Sequence, residues 1–294
     1  MIKANYRAIH ELKEWGNRFR HNLAYNRLPS FRILKTCGEA NAYVSYKAYA
    51  GLGNRIRAHY TATLLARRLE RAVHVAWLPS PHLQSDGSDI FASGSSLPSG
   101  PGRISRIRTL SLSDLHGRLM RDDLKMLRDS AVVLDYDCQW NPLDSPVNRL
   151  LGSGDCTIAV RQEILDEAAA IAAALPRPVL GMHIRRGDFA MYALSSSDDY
   201  YVDAIRAIGG ADAYSSILVA TDEDGPLDNR IAAGFQAHRV LVPLVGRDSL
   251  GVAPEALAHL LALARTDAFI GTPKSSFSEL IEAIRDKKLN FVHP

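Results

Sequence analysis

The sequence is poor in the groups that staple a fold or ligate a metal. Of its 294 residues three are cysteine, Cys37, Cys138 and Cys156, far apart and odd in number. They supply neither a disulfide framework nor a zinc-ligand spacing, and they suit a reducing, cytoplasmic compartment. No apolar run reaches the roughly 18 residues of a membrane-spanning helix. The opening MIKANYRAIHELKE lacks the hydrophobic stretch of a signal peptide. There is no internal repeat. Charge of one sign is also scarce: 35 Lys and Arg face 32 Asp and Glu, a net charge of +3. That charge is uneven. Residues 1–36 hold eight basic and two acidic side chains, so the rest of the chain is slightly acidic, with 27 basic against 30 acidic. Nucleic acid is therefore not an expected partner. The basic arm reads as a solvated amphipathic helix over 5–23, and a peripheral contact with a membrane surface is its alternative use.

What is present is ordinary globular material, 47% hydrophobic and 23% charged. "NAYVSYKAYA" (41–50) reads as a strand, 54–70 as a helix and "AVHVAWL" (72–78) as a strand: a βαβ unit. Residues 79–102, rich in Ser, Gly and Pro, read as a long loop, too long and polar for a mere connection. "AVVLDYDC" (131–138) is another strand. The alanine-rich stretch 157–175 reads as a helix, and a domain boundary is placed near residue 155. Beyond it strands and helices alternate: strand 179–184, helix 199–208, strand 216–222, helix 226–235, strand 239–245, helix 254–266, strand 268–272, helix 276–287 and strand 289–293. The fold class is α/β, with parallel sheets and helices on both faces.

In such sheets ligands sit beyond the carboxyl ends of the strands. Three polar clusters fall there: His183, Arg185, Arg186 and Asp188; Thr221, Asp222 and Glu223; Thr272, Lys274, Ser275 and Ser276. Buried strands rarely end in several ionisable groups without a partner for that charge. Arginine offers a fork matched to phosphate oxygens, and free N–H groups at a helix start bind anions. The plain readings remain beside these. "HIRRGD" reads as a structural salt-bridge cluster, and Ser276 with Glu279 resembles a capping box. In "AYAGLGNRIRAHY" (48–60) the glycines allow close backbone approach, or only a tight turn; the third glycine of a dinucleotide fingerprint is missing.

"GLGNR", "HIRRGD", "VATDED" and "KSSFSEL", in that order, resemble the superfamily of α1,2-, α1,6- and protein O-fucosyltransferases. The likeness covers most of 42–285, and its specific element is HxRRxD. It implies two Rossmann-like domains facing each other, a GT-B glycosyltransferase: an acceptor-side domain over 1–155 and a nucleotide-sugar domain over 156–294. It implies GDP-fucose as donor, a glycan or other hydroxyl as acceptor, inversion, and no metal or further cofactor. By this resemblance Arg185 contacts the diphosphate and is essential. His183 contacts the nucleotide or its phosphate, Ser275 and Ser276 hold the diphosphate, and Phe277 lies near the base. Asn54 reaches the sugar–phosphate from the other domain, with Gly53 and Arg55 beside it. Arg186, Thr221 and Asp222 complete the donor set.

The chain departs from the family at two points. Where the family has a guanosine-binding acid, His259 stands, with Glu255 a turn away. Where some α1,6 enzymes have a base, the residue is Ala193. Asp188, Asp222, Asp86 and Asp89 are the candidate bases, Asp188 being placed with Arg185 in the catalytic pair. "DYD" at 135–137 has a metal-site spelling but reads as structural. Two alternatives share the phosphate grip: a glycosyltransferase with another nucleotide sugar, and a non-catalytic nucleotide-binding protein.

Overall fold

The computed structural model describes residues 43–48, 51–77, 83, 87–92, 106–127, 130–134, 141–152, 156–186, 196–222, 231, 236–241 and 252–293. The chain divides into two units, Met1–Asn41 and Ala42–Pro294. The first, with the basic arm and the helix expected over 5–23, lies outside the described residues.

The second unit opens with strand β1 (Tyr43–Ala48), helix α1 (Leu52–Leu69) and strand β2 (Ala72–Trp77). The stripe Ile56, Tyr60, Leu64, Leu65 and Leu69 is buried, as helical spacing requires. The helix stops where Glu70 turns left-handed at φ 55° and its N–H returns to the carbonyls of Ala66 and Arg67. Then follow β3 (Arg106–Leu110), α2 (Leu112–Met120), β4 (Ser130–Leu134) and α3 (Pro146–Leu151). The four strands form one parallel sheet in the order β2-β1-β4-β3.

The remaining elements are β5 (Cys156–Ala159), α4 (Gln162–Ala173), β6 (Val179–Ile184), α5 (Asp198–Ala207), β7 (Ser216–Thr221), β8 (Gln236–Leu241), α6 (Val252–Ala264), β9 (Ala268–Ile270), α7 (Ser276–Arg285) and β10 (Leu289–Val292). Four of these strands make a second parallel sheet, β8-β7-β6-β9. The strand order reverses between β6 and β9, the crevice where open α/β sheets bind ligands. β10 runs back to pair in parallel with β5.

The central strands of this sheet, β6 and β7, are buried on both faces. Leu180, Met182 and Ile184 join Tyr201, Val202 and Ile205 of α5 on one side. Val179, Leu218 and Ala220 face the other way, into a core that continues through α6, α7 and α1 to the first sheet. Each large apolar side chain so buried contributes about 1.5–3 kcal/mol. The two four-stranded sheets fall on either side of residue 155, while this apolar core runs on across it.

Four expectations change. The helix expected over 157–175 begins only at Gln162. Residues 156–159 are strand β5, with Cys156 and Ile158 buried and Thr157 exposed. Their alternation has period two, and their partner is the last strand of the chain, which local pattern does not reveal. Residues 106–120 carry a strand and a helix that periodicity passed over. Ser111 caps that helix through a capping box with Asp114, a readable signal. α3 likewise went unread, although Ser145 followed by Pro146 marks its start. The described part of the long loop is anchored: Ile90 and Phe91 are buried, Phe91 bridges Val160, and Arg161 N–H donates to the Ile90 carbonyl at 2.9 Å. Of the helix expected over 226–235 only Ile231 is described.

Candidate functional site

The site grows from the point where β6 and β9 stop. Their backbone register ends at Met182 and Ile270. Past it, Thr272 takes over. Its hydroxyl donates to the His183 carbonyl at 2.8 Å and accepts from the Arg185 N–H at 2.9 Å. Tyr201 from α5 closes the same knot, its hydroxyl 3.0 Å from the His183 carbonyl and 2.8 Å from Thr272 Oγ1. The strand end carrying His183 and Arg185 is thereby tied to the loop that leads into α7.

That loop is built for a helix start without a cap. Lys274 sits left-handed at φ 63°, a conformation that costs a side-chain-bearing residue about 1–2 kcal/mol. The N-cap is Ser275, whose side chain makes no capping bond. Its Oγ is buried and has no hydrogen-bond partner among the described residues. α2, α3 and α5, by contrast, each have a serine accepting from the first turn. The capping box read from Ser276 and Glu279 is therefore overturned. The cap falls one residue earlier, and Glu279 turns elsewhere: it pairs with Arg57 of α1 and accepts the Leu143 N–H at 2.9 Å. Lys274, Ser275, Ser278 and Glu279 line a cavity of about 610 Å³ whose far wall includes Tyr200 and Ala204 of α5. Small-molecule sites span roughly 300–1,000 Å³.

The first half reaches the same point. Gly53 packs on the start of α7 so closely that a Cβ there would sit 2.5 Å from Ser276 Oγ and 2.9 Å from Phe277 N. Only glycine fits. Two helix N-termini, of α1 and α7, thus meet, and neither has a side-chain cap. Their free N–H groups and dipoles make the junction attractive to an anion. Asn54 is half-buried, its Oδ1 3.4 Å from Arg57 Nη1.

His183 is 5% exposed, its Nδ1 is 2.8 Å from Ser278 Oγ, and its ring lies 4.6 Å from that of Phe277. Burial first, and the charge of Arg185 second, bring its pKa down to about 3, so the imidazole is neutral near pH 7. It offers a hydrogen bond, not a charge. Arg185 is half-buried at the rim.

Other expected members stand apart. Arg186 gives its guanidinium to protein groups, donating to the Ser196 carbonyl at 2.6 Å and to Asp198 at 2.8 Å, over the Tyr201 ring. Asp222 accepts the Arg186 N–H at 2.8 Å, so it too serves the loop. Thr221 is buried in register with Ile184. Arg55 is fully buried, 5.3 Å from the Trp77 ring centroid, and donates to the Leu83 carbonyl at 2.8 Å; it holds the loop after β2. Asp188, Ala193, Asp86, Glu223 and the "DYD" stretch lie outside the described residues, whereas Asp89 belongs to a short 3-10 turn over Gly87–Asp89. Among the described residues no group of three His, Cys, Asp or Glu could hold a metal ion, and no helix is long and apolar enough to cross a membrane.

His259 is the member whose placement gains most. It is 6% exposed, while Glu255 is open to solvent. Leu263, one turn further along α6, lies 3.2 Å from where a Cβ of Gly181 would be. The buried Nδ1 of His259 has no hydrogen-bond partner among the described residues, and burial lowers the residue's pKa to about 4. Ser278 and Tyr201 were not singled out in the sequence, because nothing local marks a hydroxyl that meets a side chain 71 to 95 positions away.

No family model matches the chain, and no curated protein matches its sequence. Solved structures do match. The selenomethionine form of the fucosyltransferase NodZ from Bradyrhizobium superposes with a TM-score of 0.52 at 18% identity, covering 82% of this chain and 91% of that one. POFUT1 in complex with GDP-fucose gives 0.51 at 13% identity, covering 85% and 98%. NodZ α-1,6-fucosyltransferase co-crystallised with GDP gives 0.50 at 18%, covering 82% and 92%. The fold is fucosyltransferase-like.

Proposed function

We propose that this chain is a glycosyltransferase that moves fucose from GDP-fucose to a hydroxyl of a glycan or other acceptor, inverting the anomeric centre. The observation that carries this reading is the uncapped start of α7. Its buried Ser275 Oγ has no hydrogen-bond partner among the described residues, Gly53 packs against it, and Arg185 stands at the adjoining strand end. That is an anion cradle at the switch point of a parallel sheet. Structures of like fold in complex with GDP-fucose or GDP support the donor class.

In this reading two Rossmann-like domains face each other, 1–155 on the acceptor side and 156–294 on the donor side. The bond from fucose C1 to the β-phosphate oxygen breaks, and its electron pair stays on that oxygen. The acceptor oxygen bonds C1 from the opposite face and gives up its proton. Arg185 and the N–H groups of α7 meet the charge that grows on the diphosphate, which asks for no metal. Asp188, three residues beyond Arg185, takes the proton. Asp222, already accepting from Arg186, suits that task less.

Calorimetry with GDP, UDP and ADP in the presence of EDTA tests the donor class. GDP is expected to bind most tightly. Tighter binding of UDP or ADP would overturn the reading, as would a transfer that EDTA abolishes and Mg²⁺ restores. Hydrolysis or transfer assays with a series of GDP-sugars then separate fucose from its relatives, and an enzyme from a non-catalytic binder.

A further inference from the structure

Ser278 decides which of its two nitrogens His183 can offer. A neutral imidazole carries one N–H, and the partner of one nitrogen fixes the role of the other. Ser278 Oγ is buried at 3% exposure and sits between two groups. It accepts the Thr272 N–H at 2.9 Å and lies 2.8 Å from His183 Nδ1. Among the described residues it has no other partner. Its single proton therefore goes to Nδ1. Were Nδ1 to carry the proton instead, the hydroxyl would accept twice and bury its own proton unpaired, at a cost of about 1–3 kcal/mol.

We infer that Ser278 is a positioning residue that holds His183 in the tautomer protonated at Nε2, so that Nε2–H is presented to an acceptor oxygen of the ligand at the start of α7. Nε2 makes no hydrogen bond to a protein group among the described residues. Naming that oxygen as part of a nucleoside diphosphate rests on the function proposed above; the tautomer does not. Two further features serve the arrangement. A Cβ on Gly271 would lie 2.7 Å from Ser278 Cβ and 2.8 Å from its Oγ, so glycine lets Ser278 come this close. The Phe277 ring, inclined at 33° to the imidazole, limits its rotation.

Nitrogen-15 NMR of the full chain with labelled histidine reads the tautomer directly, with His183 identified by the signals lost in His183→Gln. At pH 7 the wild type is expected to show a protonated Nε2 and a bare Nδ1. Ser278→Ala, folded by thermal melting, should mix the two tautomers and weaken GDP binding about tenfold, the worth of one lost hydrogen bond. A purely structural serine would lower the melting temperature and leave the tautomer alone. A wild-type spectrum with protonated Nδ1, or an imidazolium, overturns the inference. So does a folded Ser278→Ala chain with unchanged tautomer and affinity. A wild type that shows the expected tautomer and binds no GDP supports the role of Ser278 and removes the nucleotide reading instead.

Discussion

His59 in the first half and His183 in the second are buried alike, at 4% and 5% exposure, and burial brings the pKa of each to about 3. Each meets a hydroxyl through Nδ1. Around His59, Trp77 Nε1 donates to Tyr46 Oη at 2.8 Å, and that hydroxyl lies 3.0 Å from Nδ1. The ring stacks on Phe91 at 4.2 Å, and Trp77 stands edge-on to Phe91. His59 thus lies between two aromatic rings of the core, Tyr46 and Phe91, with Trp77 touching both of them. His183 has one ring beside it, and its other neighbours are serine, threonine and the open start of a helix. Depth and protonation state are the same, so neither marks a functional histidine. The company of the ring does.

The largest effect expected from this pair is on acid stability. Both imidazoles are neutral when folded and regain an ordinary pKa of about 6.5 when unfolded. Protons therefore favour the unfolded chain. The stabilisation is complete above about pH 6.5 and is lost as pH falls toward 3, by on the order of 4–5 kcal/mol for each histidine. Denaturant titrations between pH 7 and 4 measure this. His59→Gln should remove its share of the slope, and a flat profile in the wild type would contradict the buried neutral state of both residues.

Next comes Arg185→Lys, which keeps the charge and loses the fork. Leaving-group charge grows in the transition state, so kcat should drop on the order of 10²-fold while the KM for the donor changes less. Its neighbour gives the contrast. Arg186→Lys disturbs the bonds to Ser196 and Asp198 and should lower the melting temperature more than turnover. Kinetics and melts of both variants decide; a folded Arg185→Lys chain with normal kcat would remove this residue from the chemistry.

A smaller effect is expected from Gly53→Ala. The added methyl forces α1 and α7 apart at the anion cradle and should weaken GDP binding about tenfold, roughly 1.4 kcal/mol. An unchanged affinity would show that the two helix starts do not act together.

Much of this was legible because β6 reads as one apolar run ending in charge, and because the carboxyl ends of parallel strands collect ligands. The strand-end rule brings His183, Arg185, Thr272 and Ser275 to one rim from the sequence alone. Strand alternation set Arg186 apart from Arg185, as a residue bracing the loop through an acid, but that acid, Asp198, and the Ser196 carbonyl come from a later loop and helix and could not be named. Local spacing mistook Glu279 for a capping partner because Arg57 and the Leu143 N–H lie far off in the chain. β5 was hidden for a related reason: its strand character comes from β10. A long-range partner leaves no local trace, and the bonds of Thr272 to Tyr201 and His183 and of Ser278 to His183 are of that kind.

The meeting of Gly53 with Ser276, backed by Arg57 and Glu279, also sets when the molecule becomes competent. Gly53 is made long before Ser276. Closing so long a stretch of chain carries a loop entropy that only the completed core repays. The first sheet is synthesised before that, but the cradle cannot exist until α7 has left the ribosome and found α1. Nascent chains carrying only the first sheet are therefore mute toward ligand, and binding reports that the two helix starts have met.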